Sequence, residues 1–204
     1  METKKEIRLT EPRCKGGVSL EEAIAQRRSV RSYARRSLTL QEVSQLLWSV
    51  QGVTAPWGGR TAPSAGGLYP LETYVTISRV ADLPQGLYHY DPKRQILRLV
   101  RPWEDADREA LSEAALGQSC VRDAHAVLII AAVEARTARK YGQRATRYVH
   151  MEVGCACENV HLQCESLGLG TVAVGAFDDR AVGHLLREAP SPLLLMPVGP
   201  KQER

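Results

Sequence analysis

Between positions 27 and 33 the chain reads Arg-Arg-Ser-Val-Arg-Ser-Tyr, three guanidinium groups and two serine hydroxyls in seven residues. A planar guanidinium fork matches phosphate oxygens in pairs, and a neighbouring hydroxyl adds a neutral donor. Such a cluster points to an anion with several oxygens. Two other stretches carry residue types that let a flat ligand come close to a backbone. Pro63-Ser64-Ala65-Gly66-Gly67 gathers small residues just ahead of a strand; a mobile surface loop explains it equally well. Val174-Gly175-Ala176-Phe177-Asp178 ends a strand and would expose backbone amides, although a plain strand-to-helix turn is the simpler account when it is taken alone.

Other chemistries lack their residues. There is no Gly-rich phosphate loop of the nucleotide-hydrolase type, no dinucleotide fingerprint and no Gly-x-Ser-x-Gly elbow. Glu158-x-x-His161 has the spacing of a di-iron bundle, but that site needs a second such motif and further carboxylates, so it reads as a helix surface pair. Cys155 and Cys157, two apart on a helix, point different ways and make poor joint ligands, while Cys157 and Cys164 share a face as small core residues. No metal site is expected.

The 204 residues suffice for one domain with a substantial core. They are 44% hydrophobic and 25% charged, with 27 basic and 23 acidic residues and a net charge of +4. That excess is scattered, and at 5% aromatics the chain offers no stacking platform, so nucleic acid is not an expected partner. Met1 to Leu9 is charged and unlike a signal peptide, and the longest apolar run, Ala126 to Val133, is too short to span a bilayer. Five cysteines without a regular framework read as reduced thiols. The expectation is a cytoplasmic protein that does not enter the membrane.

Local signals supply the frame. Ser19-x-x-Glu22 and Thr39-x-x-Glu42 are capping boxes that open helices, the first to about Arg28 and the second with Val43, Leu46, Leu47 and Val50 on one face. Gln51 to Gly67 reads as a loop. Strands are expected at Thr73–Ser78, Gly86–Tyr90, Gln95–Val100, Ala126–Val133, Thr171–Val174 and Leu193–Val198. Helices are expected from Glu104 to Leu116, from Arg144 to Leu167 with Gly168 as C-cap, and from an Asp178 cap to about Arg187. The mixed order implies an α+β fold with helices packed on a mixed sheet. Residues 19–204 read as one domain and residues 1–18 as an N-terminal extension.

Taken together, the three chemistry-bearing stretches resemble the FMN-dependent nitroreductase family, from about Ser19 to Lys201. A closer likeness is to its SagB-type subgroup, which includes azoline dehydrogenases of peptide maturation. That likeness rests on Leu46 to Thr54, Ala62 to Glu72, Gly86 to Pro92 and Gly168 to Thr171. The resemblance implies a three-layer α/β/α fold with a mixed, mainly antiparallel central sheet. It also implies a homodimer with FMN at the interface and NADH or NADPH as transient reductant. By the family pattern Arg27, Ser29 and Arg31, with Arg28 beside them, hold the phosphate and ribityl-pyrimidine side. Pro63, Ser64, Ala65 and Gly66 come from the partner subunit against the ring, and Gly175 and Ala176 lie by its centre. Gln118 is a candidate for the pyrimidine edge, because an amide both donates and accepts. Lys201 stands where basic residues complete the phosphate site. Lys140 and Tyr141 occupy the place of a Lys-Tyr pair implicated in azoline oxidation.

Three functions follow as expectations. The first is hydride transfer from NAD(P)H through flavin N5 to a flat, electron-poor small molecule, with the hydride chemistry belonging to the cofactor. The second is azoline dehydrogenation of a peptide substrate, and the third is a flavin-binding module without turnover.

Overall fold

The computed structural model describes residues 6–187 and 190–202, so the first five residues of the expected extension and the last two of the chain lie outside the described residues. Its strands are β1 (Glu6–Arg8), β2 (Leu71–Ile77), β3 (Gly86–Asp91), β4 (Ile96–Arg101), β5 (Ala126–Ala132), β6 (Leu169–Thr171) and β7 (Ser191–Pro200). They form one sheet in the order β1-β4-β3-β2-β5-β7-β6. All its ladders are antiparallel. Parallel pairing occurs in isolated bridges, Ser29 with Thr171 and Leu38 with Val80.

The helices are α1 (Leu20–Gln26), α2 (Leu40–Gln51), α3 (Asp105–Ala114), α4 (Ser119–Arg122), α5 (Glu134–Tyr141), α6 (Ala145–Leu167) and α7 (Asp179–Leu185). The continuous apolar run of β5 explains the layering. Ala126, Leu128 and Ile130 join one core with Leu46, Leu47, Val149 and Val160 of α2 and α6. Val127 and Ile129 join a second core with Leu111, Val121 and Val182 of α3, α4 and α7. A strand buried on both faces needs apolar residues at every position. The architecture is thus α+β in three layers.

Caps set the helix ends that matter for the site. Thr39 and Glu42 form the full reciprocal box on α2, whereas Ser19 accepts from the Glu22 amide on α1 without the return bond. The Glu22 carboxylate instead accepts from Gln26 Nε2 at 3.0 Å, one turn further on. Gly168 ends α6 at φ 66°, a left-handed position that favours glycine.

The structure departs from the sequence reading at other elements too. The segment before α6 is helix α5 rather than loop; its apolar side is only Ala135, Ala138 and Tyr141, and Thr137 is its one buried residue. Strand β6 covers 169–171, where Thr171–Val174 was expected, because β7 pairs Leu169 to Thr171 with Pro200 to Val198 and leaves Val174 to a separate bridge with Leu195. Strand β1 and the single turn α4 are too short to announce themselves. His161, expected at the surface, is buried.

Candidate functional site

The arginine cluster is extended. Arg27 ends α1 by donating its N–H to Ala23 O, and the chain then runs beside β6, with Val30 N–H donating to Thr171 O at 2.9 Å. Alternate side chains on an extended segment point to opposite sides. Val30 packs over Gly170, where an added Cβ would fall 2.5 Å from Val30 Cγ1. Arg28 shares a cavity with Val30, Ser32 and Lys201, and its Nη1 donates to Ala25 O and Arg27 O at 3.1 and 2.7 Å. Arg27, Ser29 and Arg31 fall on the other side. Arg27 and Arg31 form no ion pair among the described residues. Lys201 is differently placed from these, since its ammonium is paired with the buried carboxylate of Glu165 on α6.

The turn after β6 meets this row from the α4 side. Val174 and Leu195 exchange both backbone hydrogen bonds, at 2.9 and 3.0 Å, and the chain then exposes Gly175 and Ala176. A Cβ added to Gly175 would meet nothing within 4 Å, so its backbone is open to a ligand. Gln118, the N-cap of α4, donates Nε2 to Ala176 O at 3.2 Å, which ties the two candidates together. Arg31 lies within electrostatic reach of Cys120 on the same helix. Asp178 caps α7 through the Ala181 amide at 2.9 Å.

The small-residue loop lies elsewhere, against the N-terminal half of α6. Ser64 Oγ accepts from Tyr69 N–H at 2.9 Å, and Pro63 and Gly66 are exposed. Gly66 has φ 64°, and a Cβ there would lie 2.8 Å from Tyr141 Oη and 3.1 Å from Lys140 Nζ. The fold therefore seats the Lys140–Tyr141 pair directly on this loop, with the Tyr141 ring edge-on to Tyr148 at 4.9 Å.

Behind the loop stands a polar network not foreseen from sequence. Arg60 donates to Gln51 Oε1 at 2.7 Å and stacks 4.4 Å over the Tyr69 ring. Arg136 donates to Tyr69 O at 3.1 Å and pairs with Glu72, which also pairs with His89 at 2.7 Å. Burial would raise the Glu72 carboxyl, but hydrogen bonds from His89 and Arg136 outweigh it and hold the group below the usual carboxylate range. Glu152 on α6 lies close to Ser64 and Gln51, yet its Oε1 reaches no hydrogen-bond geometry. Burial pushes it up to about 7, against smaller opposing effects of Ser64, Arg60 and Gln51. Its signal in the sequence was a carboxylate interrupting the buried stripe Val149, Val153, Ala156, Val160.

The two halves are apart in one chain. Ser64 is placed at Glu152, whereas Arg27 acts on Cys157 and His161 further along α6. From Glu152 to His161 the helix rises about 14 Å at 1.5 Å per residue. Among the described residues no group of three or more His, Cys, Asp or Glu could hold a metal ion.

Residues 24–200 match the profile of the Nitroreductase family. The chain belongs to that family. A Methanocaldococcus jannaschii protein, provisionally named a nitroreductase, is 48% identical over 186 residues, covering 91% of this chain and 93% of its own. Among solved structures, a Ralstonia eutropha JMP134 protein with the same provisional name superposes with a TM-score of 0.84 at 28% identity, covering 100% of this chain and 93% of that one. A chain of the E. coli microcin synthetase McbBCD complex, with truncated pro-MccB17 bound, has a TM-score of 0.72 at 21% identity over 89% of this chain and 73% of its own, a likeness of fold. The site suits the family's flavin in its donor set. Arg27 and Arg31 are cations without a carboxylate partner among the described residues, and the open backbone at Gly175 leaves room for a planar ring.

Proposed function

We propose that the chain is an oxidoreductase that moves hydride from NADH or NADPH to an electron-poor acceptor by way of bound FMN. The general class, an FMN-dependent oxidoreductase with a nicotinamide reductant, follows from membership of the nitroreductase family. FMN supplies a reversible two-electron acceptor at N5. In this reading Arg27 and Ser29 hold the phosphate side, with Arg28 behind them. Arg31 sets a positive charge where electron density gathers on reduction. Gln118 orients the pyrimidine edge through its own bond to Ala176 O, and Gly175 and Ala176 give backbone access to the ring centre. Lys201 acts at the phosphate side as a hydrogen-bond donor, since its bond to Glu165 uses one of three ammonium N–H groups. Residues 19–204 form the flavin-binding unit, and residues 1–18 are an extension that adds β1 to the sheet.

The reading makes the molecule a homodimer. The separation of the two half-sites along α6 supports this, because a two-fold partner can bring Pro63, Ser64, Ala65 and Gly66 to a ring held by Arg27, Ser29 and Arg31. Leu20 and Ile24, one turn apart on α1 and 61% and 56% exposed, offer an apolar surface for a second copy.

The observation that carries the function is the single row Arg27, Ser29, Arg31, met by the Gln118–Ala176 contact within a nitroreductase chain. The purified protein is expected to show a flavin absorbance spectrum that bleaches on anaerobic titration with NADH or NADPH. A colourless protein that stays colourless with added FMN overturns it.

The seating of Lys140 and Tyr141 on Gly66 favours a second reading, azoline dehydrogenation of a peptide. There Lys140 would take the substrate proton as hydride departs, with Tyr141 fixing its position. Replacing Lys140 by Ala and Tyr141 by Phe together should abolish azoline oxidation while nicotinamide oxidation continues. Full azoline oxidation in the double variant excludes this reading.

A further inference from the structure

A second concentration of positive charge lies below the strand ends, on the side of α3 and α4. Arg31 and Arg35 come from the segment after α1, Arg79 from the residues leaving β2, Arg108 from α3 and Arg122 from α4; they surround a cavity of about 630 Å³. Arg122 is paired with Asp123 at 3.0 Å and Arg108 with Asp105 at 3.2 Å. Arg31, Arg35 and Arg79 form no ion pair among the described residues. Like charges gathered around one concavity raise the local concentration of anions.

The walls are fixed by backbone bonds. His125 O accepts from Ser78 N–H at 3.0 Å and from Arg79 N–H at 2.9 Å, and His125 N–H donates to Val198 O at 2.9 Å. Ala34 N–H donates to Pro200 O at 2.9 Å, which holds the segment carrying Arg31 and Arg35. Two buried groups on these walls are left without partners. His125 is among the lining residues and is 1% exposed, and neither ring nitrogen reaches hydrogen-bond geometry, although the Arg36 backbone lies close by. Arg108 Nε is likewise buried and unpartnered. Buried donors left unmade are costly, so each of these groups favours an acceptor brought to this wall.

We propose that this cavity is an oxyanion site that receives a phosphate group, separate from the phosphate end of the flavin site. Arginine forks, hydroxyls of Ser32, Ser78 and Ser119, and a buried imidazole are together a donor set for a phosphate dianion. Arg31 belongs to both places, so the favoured bearer is a molecule that also meets the flavin: NADPH, through its ribose 2′-phosphate. That assignment of the bearer rests on the flavin reading above; the oxyanion site does not.

The test uses the FMN-loaded protein and the variants Arg79→Ala, Arg108→Ala and their combination, all at exposed or half-buried positions outside the proposed flavin site. The double variant should raise KM for NADPH about tenfold or more, the loss of one or two charge-assisted bonds, and leave KM for NADH and bound FMN unchanged. If inorganic phosphate raises the melting temperature of the parent but not of the double variant, while both nicotinamides behave alike, the site stands with free phosphate as its source. Loss of FMN from the variants would merge the cavity with the flavin site and overturn its separateness. Unchanged NADPH kinetics together with unchanged phosphate stabilisation would overturn the site itself. A protein that never binds FMN defeats only the flavin reading, since phosphate stabilisation still reports on the cavity.

Discussion

Glu152 shows what a single buried carboxyl imposes. It is 4% exposed, beside Ser64 and Gln51, and its pKa stands at about 7 against an ordinary value of 4.5. Between those values the folded chain binds the proton more tightly than the unfolded chain, so stability is greatest on the acid side. It falls as pH rises from about 4.5 to about 7 and then levels off; the full effect is at most about 3 kcal/mol. Glu152→Gln should flatten this slope, as read by denaturant unfolding at about pH 5 and about pH 8. A variant with the parent's pH slope would refute the assignment. At this scale the sequence showed the unpaired chemistry well. Arg27, Ser29 and Arg31 stand out because they alternate along one short extended segment, whereas Glu152, Arg60 and Glu72 become a network only when three separate elements meet.

At the scale of elements, the loop from Pro63 to Gly67 and helix α5 form one device. Gly66 supplies the left-handed turn, and Lys140 and Tyr141 close over it from the last turn of α5. Gly66→Ala would strain the backbone by about 1 kcal/mol and press a methyl group against two polar side-chain ends, which can swing away. The expected result is a drop of a few degrees in melting temperature, by the usual scaling for a chain of this size, with a larger loss of any activity that uses Lys140. An unaltered melting temperature and unaltered activity would show that the turn tolerates a side chain. Helix α2 was legible because its signals are local: a complete cap from Thr39 and Glu42 and one apolar face. Helix α5 was not, because Glu-Ala-Arg-Thr-Ala-Arg-Lys-Tyr is short and its apolar side is only Ala135, Ala138 and Tyr141, and its helicity is supported by packing against α6.

For the whole molecule the property that bears on the proposed homodimer is that the Pro63–Gly67 loop and the arginine row lie apart along α6. Assembly and cofactor binding should therefore be coupled. Ile24→Glu places a charge on the exposed apolar face of α1 and should shift the protein from dimer to monomer in light scattering, with FMN lost in parallel. A parent protein that is monomeric by light scattering and still holds one FMN per chain would refute the shared site. No described helix is long and apolar enough to cross a membrane.

By itself the sequence determined what depends on neighbours in the chain: capped helices, the doubly buried strand at 126–132, and the gathering of guanidinium and hydroxyl groups at residues 27–31. Only the tertiary structure decided what depends on register and crossing. It placed β6 at 169–171 through its pairing with β7, bound Lys201 to Glu165, tied Gln118 to Ala176 across fifty-eight positions, and set Lys140 and Tyr141 on Gly66. The reason is physical. Caps and apolar periodicity act over one or two turns of chain, whereas these contacts arise from strand pairing and helix packing among residues far apart in sequence, whose partners no local pattern specifies.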